Sequence, residues 1–161
     1  MKSMLKKIVA AAMGVAFGVS TLGVAVAAEA PVMPDLSKAK DGVYRAISSE
    51  HATRGVGLLS VTIKDGKIVS AAFAGIAPDG TPKEYSWYGI VEGLHGVTIP
   101  GGVTPEITSR AHFALKSNGD YAQKLVETQD YTKIDLIAGA SISYAQFMET
   151  AKEIFDRAVA K

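Results

Sequence analysis

Two segments joined by a four-residue link constrain the fold of this chain most strongly. Residues 56–63 and 68–73 are rich in side chains that favour strands. The link between them, Lys64-Asp65-Gly66-Lys67, has Asp-Gly at its centre. A two-residue type I′ turn needs positive φ at both central positions, and Asp-Gly adopts that geometry readily. The sequence therefore predicts an antiparallel hairpin here.

A further strand is predicted at residues 43–47, where side chains alternate in polarity after the turn pair Asp41-Gly42. Residues 48–54 are polar and predict a loop, and residues 78–82, with Gly80 between two prolines, predict another turn. Residues 83–91 fit a strand or a short helix equally well. Residues 93–102 contain four glycines and a proline, a composition typical of loops.

The second half of the chain has helical patterns. Thr104 and Pro105 suit the N-cap and the first position of a helix. We expect that helix to run to about residue 116 and to stop at Asn118-Gly119, because Gly is frequent just beyond helix ends. A second short helix is expected over residues 120–128, with Tyr121 on its apolar side.

The last helix carries one continuous apolar stripe at helical spacing. Ser143 precedes that stripe and Gln146 follows three residues later, which is the pattern of a capping box. Strands followed by helices predict an α+β fold: a small antiparallel β-sheet packed with C-terminal helices. The stripe consists of Tyr144, Phe147, Met148, Ala151, Ile154, Phe155 and Ala158.

The N-terminus is typical of a secretory signal. A basic start is followed by an uncharged apolar stretch over residues 8–24, and Ala25-Val26-Ala27 supplies the small residues that a signal peptidase needs. A membrane anchor is the alternative, but the stretch is rich in Ala and Gly and no stop-transfer charges follow it. We expect a signal peptide at 1–27, a tail at 28–40 and one domain at 41–161. The mature chain would be periplasmic or extracellular, with no membrane anchor.

Composition excludes several classes of site. The 161 residues contain no cysteine, so disulfides, iron–sulfur clusters and thiolate zinc sites are excluded. His51, His95 and His112 lack metal-ligand spacing, so no metal site is expected. Loss of residues 1–27 would remove three lysines and no acid, changing the formal charge from +1 to −2. A mildly acidic domain without a basic patch does not predict nucleic-acid binding. No catalytic motif is found.

Residues 135–143 present a hydroxyl on a turn ahead of the last helix. Gly139 permits backbone geometry closed to other residues, and Ala140 leaves the approach open. Ser141 would then lie just before a helix start, whose N–H groups and dipole favour an anion such as phosphate. A plain capping turn is the alternative interpretation of the same residues.

Most of the stretch 41–158 resembles the FMN-binding domain family, found in flavin subunits of sodium-pumping quinone reductases and in exported electron-transfer flavoproteins. Residues 41–44 (Asp-Gly-Val-Tyr) resemble the opening strand of that family, and residues 61–68 resemble its hairpin. Residues 135–141 resemble its flavinylation motif: Asp, two variable positions, Ser or Thr, Gly, Ala, and a final Ser or Thr.

The resemblance implies a set of site residues and partners. A flavin transferase uses FAD as donor and joins FMN through its phosphate to the last residue of the motif, here Ser141. Asp135 matches the acid of the motif, and Gly139 and Ala140 match its turn. Ala138 departs from the pattern, since the family usually has Ser or Thr there, and this leaves both covalent and reversible FMN binding open.

Function follows from the same resemblance. It implies an electron carrier that works with a redox partner protein in the membrane or the exported compartment, rather than a stand-alone enzyme. Ser143 is an alternative acceptor whose plainer role is to cap the helix. Tyr85, Trp87 and Tyr88 either stack on the flavin ring or pack in the core. A reversible ligand-binding module or an interaction domain of the same fold is the alternative function.

Overall fold

The structure is a computed structural model and describes residues 30–85 and 104–160. Strands β1 (Gly42–Ile47), β2 (Val56–Lys64) and β3 (Lys67–Ile76) precede helices α1 (Pro105–Thr128) and α2 (Ser141–Val159). Short 3-10 turns occur at Leu36–Lys38, Lys83–Tyr85 and Tyr131–Lys133. The α+β prediction is confirmed. The predicted signal peptide, the loop at 93–102, Trp87 and Tyr88 lie outside the described residues.

The sheet is an antiparallel meander in the order β1-β2-β3. Tyr44 of β1 lies opposite Val61 of β2, and Leu59 of β2 lies opposite Phe73 of β3. The turn between β2 and β3 has φ of 52° at Asp65 and 70° at Gly66. These positive values are what a type I′ turn requires, and the predicted hairpin is confirmed.

Alternation along the strands gives the sheet one buried face. In β2, Leu59, Val61 and Ile63 point to that face, and at most 1% of each is exposed. Helix α1 packs along β3, and α2 packs across β1 and β2. The two helices therefore enclose a core between themselves and the sheet. Its largest fully buried hydrophobic side chains are Tyr121, Tyr131, Phe147, Phe155, Leu59, Ile63, Leu125, Ile154 and Val61.

Helix α1 corrects one prediction. It begins at Pro105 as expected but continues unbroken through Asn118-Gly119 to Thr128, so the two predicted helices are one. Ser117 and Asn118 are buried in this stretch, and an ion pair between Lys116 and Asp120 spans the expected break. Burial of the helix against the sheet outweighs the roughly 1 kcal/mol that a mid-helix Gly costs.

Helix α2 confirms the apolar stripe and corrects the position of its start. The helix begins at Ser141, and Ala140 occupies the N-cap without a side-chain capping bond. Ser143 therefore lies inside the first turn, where it is buried. The predicted capping box is wrong, because the Gln146 side chain donates instead to the Gly55 carbonyl at 2.7 Å.

The segment at 30–40 also contacts the domain. Leu36 is 9% exposed and joins the hydrophobic core, ahead of the predicted domain start at residue 41. The Lys40 N–H donates to the Ala158 carbonyl at 3.3 Å, which ties the segment to the end of α2. In residues 30–85 and 104–160, every helix is too short or too polar to span a bilayer.

Candidate functional site

The turn that precedes α2 places Ser141 at the first position of that helix. The Ala140 N–H donates to the Ile137 carbonyl at 3.0 Å, and the Tyr144 N–H donates to the Ala140 carbonyl at 2.9 Å. Ala140 is buried, whereas Ser141 is exposed. The Ser141 hydroxyl therefore lies on the first residue of the helix, one position further into it than the turn just before the helix start that the sequence predicted.

Gly139 makes this turn possible. Its φ is +83°, a value that L side chains rarely adopt. A Cβ added there would lie 3.1 Å from Cδ2 of Phe113 in α1, so space is tight as well. The predicted need for glycine at this position is confirmed.

Two tyrosine hydroxyls hold the segment from the core side. The Ile137 N–H donates to the Tyr121 hydroxyl, and the Tyr144 hydroxyl donates to the Ile134 carbonyl, each at 3.0 Å. The Tyr121 ring stacks on Phe147 with centroids 5.3 Å apart. The segment between the last 3-10 turn and α2 is thereby fixed to both helices.

Ser141 lines a cavity of about 220 Å³ together with Arg54, Lys83, Ala114 and the rest of residues 139–143. We call it the basic cavity, because the charged side chains among its described lining residues are Arg54 and Lys83. Three of the four predicted site residues, Gly139, Ala140 and Ser141, contribute to its wall. The fourth, Asp135, is exposed and does not line this cavity.

Lys83 reaches the cavity across a hollow in the sheet. Gly57 and Gly75 lie opposite each other in β2 and β3. A Cβ on Gly75 would lie 2.6 Å from Cδ of Lys83, so the missing side chain provides the room for the lysine. Lys83 is only 2% exposed. Burial, with a contribution from the positive charge of Arg54, lowers the pKa of Lys83 to about 8.

Arg54 is carried by the loop between β1 and β2, which α2 clamps at two points. The Ser49 N–H donates to the Glu149 carboxylate at 2.9 Å, and Gln146 bonds the Gly55 carbonyl. The loop closes on itself through a bond from the Gly55 N–H to the His51 carbonyl at 2.8 Å. Arg54 is therefore held close to the start of α2.

Ser141 also borders a second cavity, of about 290 Å³, which shares Ile142 with the basic cavity. The ionisable residues among its described lining are Glu50, His51 and Glu149, and we call it the acidic cavity. Ser141 thus stands between a region of positive charge and a region with two carboxylates. A negatively charged group on its hydroxyl is electrostatically favoured in the basic cavity and disfavoured in the acidic one.

Sequence reasoning missed Arg54 and Lys83. Each is a single cation in a polar stretch, 29 positions from the other, and no local pattern marks either one. A signal for Lys83 was available in Gly75, because glycine inside a strand often marks close approach of another group.

The structure also shows the positions of the aromatic and histidine residues that the sequence analysis considered. Tyr85 is 66% exposed and does not belong to the hydrophobic core of the described residues. His51 lines the acidic cavity, and His112 is exposed on α1. Within the ranges 30–85 and 104–160, no three His, Asp or Glu side chains come close enough together to hold a metal ion.

Comparisons with known proteins support the fold alone. No protein-family model matches the sequence, and no curated protein matches it. The crystal structure of the CPE2226 protein from Clostridium perfringens is similar, with a TM-score of 0.53 and 22% sequence identity. The match covers 74% of this chain and 88% of that one. At this identity the likeness shows that the two chains share an overall fold.

Proposed function

We propose that this chain is an exported electron-transfer protein that carries FMN, attached through a phosphoester to Ser141. The observation that carries the proposal is the place of the Ser141 hydroxyl. It is exposed on the first residue of α2 and borders a cavity that contains two cationic side chains. A phosphodiester on this oxygen keeps one negative charge, which the helix dipole and both cations stabilise.

The attachment step uses FAD and a flavin transferase. The Ser141 oxygen attacks the phosphorus that bears the riboflavin group, and a new P–O bond forms. The pyrophosphate P–O bond breaks, AMP leaves, and the hydroxyl proton passes to a base of the transferase. Ser141 is accessible for this step because it lies at the surface and not inside the core.

Asp135 and Ala138 both lie outside the two cavities and are exposed. We assign Asp135 to recognition by the transferase, since its carboxylate faces solvent. The hydroxyl that the family pattern has at position 138 would also face solvent. Position 138 does not line the basic cavity, so the substitution leaves the described wall of that cavity unchanged.

The basic cavity fits one end of the cofactor. Pockets that enclose drug-sized ligands span roughly 300–1,000 Å³, and this cavity has about 220 Å³. It accommodates a phosphate and the start of a ribityl chain, so the ring system would lie beyond it. FMN supplies the one- and two-electron chemistry. A tethered, accessible ring suits a carrier that exchanges electrons with a partner protein.

Intact-mass measurement of protein purified from its exported compartment tests the proposal. We expect a mass increase of one FMN less one water, a yellow colour that survives denaturation, and loss of both in Ser141→Ala. Ser141→Thr keeps the hydroxyl and is the matched control, which should retain the flavin. Protein made in a host without the transferase would lack covalent flavin whether or not Ser141 is the acceptor, so it does not test the proposal.

Two outcomes would contradict covalent attachment at Ser141. An apoprotein mass with no colour would remove the flavin from the proposal and favour an interaction domain. Flavin that is released on denaturation, and that persists in Ser141→Ala, would favour a reversible flavin-binding module.

A further inference from the structure

We propose that the ring of Phe113, in α1, is the surface on which the flavin ring system rests when FMN is attached to Ser141. This inference rests on the function proposed above and adds a positioning residue to it. The flavinylation motif at 135–141 does not include position 113, so the assignment comes from the contact between α1 and the segment ahead of α2.

Phe113 lies against the turn that leads to Ser141. A Cβ built on Gly139 would lie 3.1 Å from Cδ2 and 3.3 Å from Cγ of Phe113, so the bare backbone of the glycine packs on the ring. A side chain at position 139 would push that ring away. The glycine therefore keeps Phe113 beside the residues that connect to the attachment point.

The Phe113 ring is held in place and is still accessible. Its second neighbour is the His112 ring, which meets it edge to face with centroids 5.8 Å apart. Even so, 39% of Phe113 is exposed. A single exposed apolar side chain is ordinary on a protein surface, but this one is fixed by contacts on its own helix and on the site segment. A ring that is already fixed loses little conformational freedom when a flat ligand covers it.

The separation between Ser141 and the contact with Phe113 suits the length of the cofactor. Gly139 and Ser141 are two residues apart, so their Cα atoms are at most about 7.6 Å apart. In FMN, five carbon atoms separate the phosphate oxygen from the ring system, and bonds of about 1.5 Å give that chain an extended reach of roughly 7 Å. Ala114, next to Phe113 in α1, lines the basic cavity together with Gly139 and Ser141. The same wall therefore leads from the phosphoester to the Phe113 ring.

A phenylalanine suits this position chemically. Contact between two aromatic rings favours binding beyond the apolar area that it buries. The Phe113 ring would also keep water from one side of the cofactor. Phenylalanine is hard to oxidise, so it can contact a redox-active ring without exchanging electrons with it.

Flavin binding to the chain purified from a host without a flavin transferase measures this contact. Riboflavin has the ring system without the phosphate, and its dissociation constant is followed by flavin fluorescence. We expect Phe113→Leu, which keeps an apolar side chain but removes the ring, to weaken riboflavin and FMN binding by the same factor, about two- to tenfold. Phe113→Tyr keeps the ring and is the matched control, which should bind both ligands within about twofold of wild type.

Fluorescence of the flavinylated protein gives a second, independent readout. A tyrosine that touches a flavin quenches its emission, because it gives an electron to the excited ring and then recovers it. Phe113→Tyr should therefore emit less than wild type. Val43→Tyr is the control: Val43 is 52% exposed in β1, near the C-terminal end of α2, where Arg157 bonds the Arg45 carbonyl. A tyrosine there should leave the emission unchanged.

The outcomes separate this inference from the proposed function. Flavin found on Ser141 by intact mass, with unchanged emission in Phe113→Tyr and unchanged affinity in Phe113→Leu, would overturn the role of Phe113 and leave the proposed function standing. A native protein without covalent flavin whose reversible FMN binding still falls in Phe113→Leu would support the role of Phe113 and reject the phosphoester. A chain that carries no flavin and binds none would overturn both.

Discussion

The Tyr121 hydroxyl joins helix α1 to the segment that carries the site, and its removal has a calculable effect. Tyr121 is fully buried, and its oxygen accepts a hydrogen bond from the Ile137 N–H at 3.0 Å. Tyr121→Phe keeps the ring that stacks on Phe147 and removes the acceptor alone. The half-buried Ile137 N–H then has no partner on that side.

The expected loss of stability follows from that missing acceptor. Leaving a buried donor unsatisfied costs about 1–3 kcal/mol, and a half-buried donor belongs in the lower part of that range, about 1–2 kcal/mol. Tyr44→Phe is the matched control. Its hydroxyl donates to the exposed Lys40 carbonyl at 2.8 Å, where water can replace it, so the change should be within about 0.5 kcal/mol.

Urea unfolding measures the difference. With a slope of about 2 kcal/mol per molar urea, Tyr121→Phe should lower the midpoint by roughly 0.5–1 M, whereas Tyr44→Phe should leave it nearly unchanged. Under the proposed function, Tyr121→Phe should also weaken FMN binding, because Gly139 to Ser141 lie only two to four residues beyond Ile137. Equal midpoints for the two variants would refute the idea that this bond holds the site segment.

Two further predictions concern the stability contributed by Gly139 and by Lys83. Gly139→Ala should destabilise the fold by about 1–2 kcal/mol from its positive φ, with an added penalty from the contact to α1. Gly80→Ala is the control in thermal unfolding, since Gly80 also has positive φ but has open space around it. An equal loss of stability in the two variants would contradict the added penalty from the contact with Phe113. The lowered pKa of Lys83 predicts that stability depends on pH. From about pH 8 upward, the unfolded chain keeps a proton on Lys83 that the folded chain has released. The free energy of unfolding therefore rises with pH, by at most about 1.4 kcal/mol per pH unit. Lys83→Met should remove that rise below about pH 9.5, where tyrosines do not yet titrate.

The strands and helices could be predicted where local chemistry decides the structure. Asp65-Gly66 specifies its turn because few other pairs tolerate positive φ twice in succession. The stripe centred on Phe147 and Ile154 specifies the buried side of α2 because its period matches the helix. These features depend on neighbours within one or two turns, so the sequence alone carries them.

The errors arose where tertiary contacts decide the outcome. Asn118-Gly119 has the composition of a helix end, but α1 packs along β3 on both sides of it and continues. Ser143 and Gln146 match a capping box, yet Gln146 bonds a loop 91 residues away in the sequence. A local pattern cannot show which of two available partners a side chain will choose.

The candidate site also combines features that local sequence predicts with features that tertiary contacts decide. The turn at Gly139 and the helix start near Ser141 were predictable, because backbone geometry and composition mark them. The cations at Arg54 and Lys83 were not, since their convergence depends on how the strands pair and on the room that Gly75 leaves for Lys83. The covalent chemistry assigned to Ser141 came from family resemblance and stays a prediction.

The clamp between α2 and the loop before β2 has a consequence for the order of folding. The β1-β2-β3 meander pairs only strands adjacent in the chain, and such hairpins form on a microsecond scale. The Ser49–Glu149 bond instead closes a separation of 100 residues, a slow, entropically costly step. Both cavities beside Ser141 depend on that closure, so we expect them to be among the last features to assemble. A transferase that reads this geometry would therefore modify only chains that have finished folding, and flavin content would report the fully folded fraction.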